Sequence, residues 1–193
     1  MSAGCAQQPE GLERVGLNGF DPGDNAADWS DCPWSMTYFI PDGKQEGHLY
    51  AGTANVETGF EVWKFEGHGG QGPVRVIANG ATGQKSMAVS NLCAFRDAPY
   101  LGAMIVGGAR FRGALDILFG KRLFGPLAAL FDTGGDLYRS TDGTRWAPVF
   151  TNGMGDPYNF GVRNMVSLDG WLYLGLVNNF DGLEIWRGEK AAQ

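Results

Sequence analysis

The sequence predicts an all-β fold made of repeated antiparallel units, and three observations support this. Residues 49–64 align without a gap on residues 172–187, sharing Leu, Tyr, Gly, Asn, Gly, Glu and Trp at identical offsets. A shared phrase of that length means repeated structural units. Glycine is abundant, with 31 residues against a usual share of ~7%, and many Asn and Asp accompany it, as tight turns between short strands require. Within the phrase the side chains follow a period of two, so that Glu61 and Trp63 share one face of a strand while Val62 and Lys64 share the other.

Each unit reads as four short strands. In unit 1 (18–78) the turn Asn18-Gly19 leads to a first strand ending at Met36 and Phe39, a second carrying Leu49, Tyr50 and Gly52, a third over 61–64 and a fourth over 73–77. Unit 2 (79–151) opens at Asn79-Gly80 and repeats the order with Leu92 and Phe95, then Tyr100, Leu101 and Gly102, then 136–139 and 146–150. Unit 3 (152–193) opens at Asn152-Gly153, carries Met165 and Leu168, then 172–175 and 184–187, and lacks a fourth strand. Asn-Gly supplies the positive φ angles of a tight turn. Trp63, Tyr138 and Trp186 are expected at equivalent third-strand positions, largely buried.

A four-stranded meander recurring every ~40 to 60 residues is the mark of a β-propeller blade. Residues 11–17 read as a fourth strand without a unit of its own, expected to complete the last blade. A closed ring needs about four to eight blades, so either two chains close a six-bladed ring as a dimer or the chain is part of a longer propeller. Unit 2 also carries an insertion over about 103–133. There Phe111, Leu115, Ile117 and Phe119 are interspersed with Arg110, Arg112, Lys121 and Arg122, giving an amphipathic basic segment. It is expected to fold as a flap over one face, the other readings being an oligomer contact, a lid or a membrane contact.

Composition narrows the function classes. With 44% hydrophobic and 19% charged residues the chain is that of a soluble globular protein. A net charge of −6 disfavours a nucleic-acid partner, which draws on clustered Lys and Arg, and none is expected. Cys5, Cys32 and Cys93 have no metal-ligand spacing, and His48 and His68 sit in turn-like surroundings. Asp21, Asp24, Asp28 and Asp31 cluster in one loop without the spacing of a calcium loop. No metal or cofactor is therefore expected. No apolar run reaches the ~18 residues of a transmembrane segment, and no basic-then-apolar signal peptide is read.

Ser140-Thr141-Asp142-Gly143-Thr144-Arg145-Trp146, which joins the third and fourth strands of unit 2, resembles the Asp-box (BNR-type) hairpin of sialidase-like propellers, one residue short. With the repeated Leu-Tyr-x-Gly and Gly-x-Glu-Ile-Trp-Arg phrases, the chain is similar to bacterial propeller proteins built from such repeats over most of residues 11–190. The resemblance implies a turn in which Ser140 and Asp142 bond backbone amides above Trp146. A sialidase-like hydrolase would further need an arginine cluster, a tyrosine nucleophile with a glutamate partner and an acid aspartate, and no residues here can be assigned to those roles. Glu61, Asp136 and Glu184 are equivalent repeat positions, as are Lys64, Arg139 and Arg187, so all six read as structural.

The innermost strands of a propeller line its axis, and the loops leading into them form one face. Asp24, Asn25, Asp156, Tyr158 and Asn159 are expected on those loops, and Ser35, Asn91 and Asn164 on the strands. Trp34 and Arg163 occupy equivalent positions with unlike side chains, which favours a role other than packing. The candidate ligand-binding residues are therefore Trp34, Ser35, Asn91, Asn159, Arg163 and Asn164, and no catalytic residue is assigned. The expected function is a non-enzymatic binding or structural scaffold for a glycan or protein ligand. The alternative is a sialidase-like glycoside hydrolase completed by a second chain or by further sequence.

Overall fold

The computed structural model describes residues 30–41, 43–55, 58–66, 72–81, 86–104, 134–178 and 180–188. Among them the chain is all-β. Eleven strands form one antiparallel sheet that does not close on itself: β1 (Ser30–Phe39), β2 (His48–Asn55), β3 (Val62–Phe65), β4 (Val74–Ile77), β5 (Ala88–Phe95), β6 (Ala98–Met104), β7 (Leu137–Ser140), β8 (Trp146–Phe150), β9 (Gly161–Leu168), β10 (Trp171–Val177) and β11 (Glu184–Arg187). A 3-10 turn, Asn152–Gly155, precedes β9. The expected closing strand at 11–17, Asp21, Asp24 and Asp28 of the acidic loop, Asn18-Gly19, Cys5, His68 and residues 105–133 of the insertion lie outside the described residues, whereas Asp31, expected in that loop, lies in β1.

The strands pair in three consecutive meanders, β1 to β4, β5 to β8 and β9 to β11, and the repeat holds residue for residue in register. Met36 pairs with Ala51, Leu92 with Leu101 and Met165 with Leu174. On the other side of each second strand, Ala51 pairs with Trp63, Leu101 with Tyr138 and Leu174 with Trp186. Trp63, Tyr138 and Trp186 are thus equivalent third-strand residues, as the sequence predicts. The Asn-Gly turns at 79–80 and 152–153 have φ between 52° and 71°, the left-handed region that makes Asn and Gly the suitable residues.

Successive meanders stack through alternating faces. The face of the first that carries Tyr50, Phe60 and Val62 packs on Val89, Leu92, Leu101 and Tyr138 of the second. Leu137, Cys93 and Tyr100 on the opposite face of the second pack on Val162, Met165, Leu172, Leu174 and Leu176 of the third. Each junction also carries one bridging pair, Ala54 with Ala88 and Met104 with Gly161. The glycine of Leu-Tyr-x-Gly is required by this stacking. A Cβ at Gly52 would overlap the Val89 side chain, and one at Gly102 would lie 2.8 Å from the Val162 Cβ. Apolar area removed from water at these two interfaces favours folding by about 25 cal/mol per Å².

One expectation is corrected. Trp63 and Tyr138 are buried, but Trp186 is 41% exposed. The difference comes from the fourth strand. Arg75 of β4 pairs with Trp63 and lays its guanidinium 5.6 Å from the indole centroid, and Pro148 of β8 pairs with Tyr138. Among the described residues no strand lies outside β11, so Trp186 stands at the sheet edge.

Candidate functional site

Each first strand is interrupted at the same place. Pairing skips from Pro33 to Ser35, from Val89 to Asn91 and from Val162 to Asn164, so Trp34, Ser90 and Arg163 are the extra residues of three equivalent β-bulges. A bulge bends its strand and re-aims the unpaired residue. Here the bulges bring Trp34 and Arg163 together although they belong to the first and third meanders: the guanidinium carbon lies 5.9 Å from the indole centroid, a cation–π distance. Ser90 at the middle bulge turns inward and donates to the carbonyls of Gly102 (3.0 Å) and Val162. It is thereby a clamp between meanders.

The residues after the bulges divide similarly. Ser35 Oγ accepts the Leu92 amide at 2.8 Å and ties β1 to β5. Asn91 is half-buried and Asn164 exposed, and among the described residues neither side-chain amide has a hydrogen-bond partner. An indole, a guanidinium and two amides thus sit on neighbouring first strands, with β5 between β1 and β9. This group can stack on an apolar face and donate to several oxygens at once.

Asn159 has a different place. It is 1% exposed, and its amide nitrogen donates to Gly153 O (3.2 Å) and Glu184 Oε2 (3.0 Å) while its oxygen accepts from Asn178 (3.2 Å). Asn178 also donates to Asp156 Oδ2 and accepts the amides of Phe180 and Asp181. Every hydrogen-bonding group of Asn159 is therefore engaged within the protein. Glu184 in turn accepts the Trp186 indole N–H at 2.7 Å. The same motif recurs in Trp63 to Glu61 (3.0 Å) and Tyr138 to Asp136 (3.0 Å), with Ser86 donating to Asp136 as Asn159 does to Glu184. Arg75 completes Glu61 with an ion pair of 2.9 Å. The acids that recur in the repeat hold the third strands to their own rings.

In the turn after β7, Asp142 Oδ1 accepts the amides of Thr144 and Arg145 at 2.8 Å, and Ser140 Oγ accepts that of Gly143 at 2.8 Å. Those amides hold the Asp142 carboxyl below the usual carboxylate range. The turn caps Tyr50 of the first meander, whose phenol is pushed up to about 12 by burial first and then by the charges of Asp142 and Glu66. Cys32 and Cys93 are free thiols, and burial pushes Cys93 up. Among the described residues no group of three His, Cys, Asp or Glu side chains converges as metal ligands would, and no helix is long and apolar enough to cross a membrane.

A groove of about 500 Å³ runs along the outward face of the third meander, lined by Arg163, Asn164, Tyr173, Gly175, Leu183 and Ile185 among others. Reading residues alone missed both the bulges and this groove. The glycine inside each second strand was the available signal, since such a glycine marks a bulge or a close backbone approach. No family model, curated protein or solved structure matches the chain.

Proposed function

We propose that the chain is a non-enzymatic binding scaffold of β-propeller type, its three meanders acting as blades, the second with an Asp-box-like turn, and that it takes a polar glycan or protein ligand at the bulged ends of the first strands. The observation that carries this reading is the convergence of Trp34 and Arg163 from separate meanders at 5.9 Å. Repeated residues serve packing in every unit, whereas these two differ at one equivalent position and are turned out by bulges. Asn91 and Asn164 add amide groups beside them, and Ser35 fixes the strand that presents Trp34. An aromatic plate with convergent polar groups is the usual composition of a small polar-ligand site.

Binding of the purified chain to a glycan array and to extended polar peptides, followed by titration of the ligand found, tests the proposal. Trp34→Ala and Arg163→Ala should each weaken binding at least about tenfold, the loss of roughly 1.4 kcal/mol expected for a stacking or charged contact. Asn159→Asp should act through stability instead. Turnover of a fluorogenic glycoside panel would replace this reading by that of a sialidase-like hydrolase.

A further inference from the structure

The two junctions inside the chain define what a complete junction contains, and each end of the array leaves part of one uncovered. At each internal junction the outward face of one meander receives the first strand of the next. Phe60 and Val62 are 0% exposed there, whereas Leu183 and Ile185, which hold the same positions in the third meander, are 76% and 70% exposed. The Phe60 amide donates to Ser86 O and the Gly135 amide to Asn159 O across their junctions. At Leu183 neither bond has a counterpart among the described residues.

The glycines repeat the pattern. Gly52 and Gly102 are filled by Val89 and Val162, but a Cβ at Gly175 would meet only its own neighbour Asn164, at 3.6 Å. Gly59 abuts the Asn79-Gly80 turn and Gly134 the Asn152-Gly153 turn, while Gly182 has nothing within 4 Å. At the opposite end, Met36 is 60% and Leu49 36% exposed, although their equivalents are buried: Leu92 at 6%, Met165 at 9% and Leu172 at 4%.

We propose that the outward face of the third meander is a docking surface for the first meander of a second copy of this chain, with Pro33 of that copy seated on Gly175 as Val89 is on Gly52. The occupant is specified by continuity: each face of this kind in the chain receives a first strand, and the only first strand with its receiving side exposed is β1, among the described residues. Two such junctions under two-fold symmetry leave neither end open, whereas a single junction would leave one of each. The proposal rests on the three-meander repeat and not on the ligand site.

The test is the mass of the full chain by sedimentation or light scattering at micromolar concentration. Wild type should run at twice 20.8 kDa. Gly175→Val fills a niche that is empty in one chain but occupied in the junction, so it should give a folded monomer with unchanged circular dichroism. Ile185→Glu and Met36→Glu should each do the same. Mixing those two variants should restore a dimer, because one of the two junctions is then free of either substitution. A wild-type chain that stays at 20.8 kDa, or a dimer indifferent to Gly175→Val and Ile185→Glu, overturns the proposal.

Discussion

Tyr50 and Asp142 meet across the first junction with opposite requirements. Tyr50 is buried, and its hydroxyl has no hydrogen-bond partner among the described residues. A Cβ at Gly143 would overlap that hydroxyl, so the turn must carry glycine there, at φ 72° as well. Because the folded phenol titrates near 12 rather than 10.0, the neutral form is favoured in the fold. Stability is therefore full below pH 10 and is lost as the pH rises toward 12. Tyr50→Phe should be at least as stable as wild type at pH 7, by about 0–1 kcal/mol, and should lose this alkaline limb in a denaturant series from pH 8 to 12. Asp142 has the reverse sign. Its folded value lies below the ordinary 3.8, so its contribution is present above that value and is lost as the pH falls through the folded one. Since Asp142 is exposed, Asp142→Asn should cost under about 1 kcal/mol at pH 7 and flatten the acid limb of the same measurement.

At the scale of the strand, one repeated motif sits in different environments. Glu61 is 1% exposed and satisfies both Trp63 and Arg75. Glu61→Leu leaves a guanidinium and an indole N–H without their acceptor and should cost about 2–4 kcal/mol in urea unfolding. The same change at Glu184, beside the exposed Trp186, should cost about 1 kcal/mol. Trp63→Ala should cost about 3–5 kcal/mol, and Trp186→Ala about 2 kcal/mol because 41% of that residue already faces solvent. Equal losses at the two tryptophans, measured in the monomeric Ile185→Glu background, would contradict the account of β11 as an uncovered edge.

For the whole molecule, burial is uneven along the array. Among the described residues the middle meander is packed on both faces, through clusters that include Leu101 and Leu137, while the third is packed on one face. Local opening follows the number of buried contacts that must be broken. In the Ile185→Glu background, amide exchange should be fastest in β10 and β11 and slowest in β5 and β6. In wild-type protein at concentrations that favour the proposed pairing, β10 should gain protection, and the difference between the two samples measures the contribution of the junction.

Much of this arrangement is legible in the residues, and the boundary between legible and hidden has a physical reason. The repeat of residues 49–64 and 172–187, the Asn-Gly turns and the alternation around Glu61 and Trp63 determined the number of units, the strand positions and the face that Glu61 and Trp63 share, because these are local consequences of side-chain period and turn chemistry. The bulges at Trp34, Ser90 and Arg163 were hidden, since each is a register shift against a partner strand and not a property of its own segment. Burial was hidden for the same reason. Trp63 and Trp186 have matching local sequences, and the presence of β4 outside the one and, among the described residues, of no strand outside the other separates them. Asn159 shows the difference at the candidate site: its residue type suited a ligand, but tertiary contacts with Gly153, Asn178 and Glu184 occupy all its hydrogen-bonding capacity, while the equally polar Arg163 was turned outward to meet Trp34.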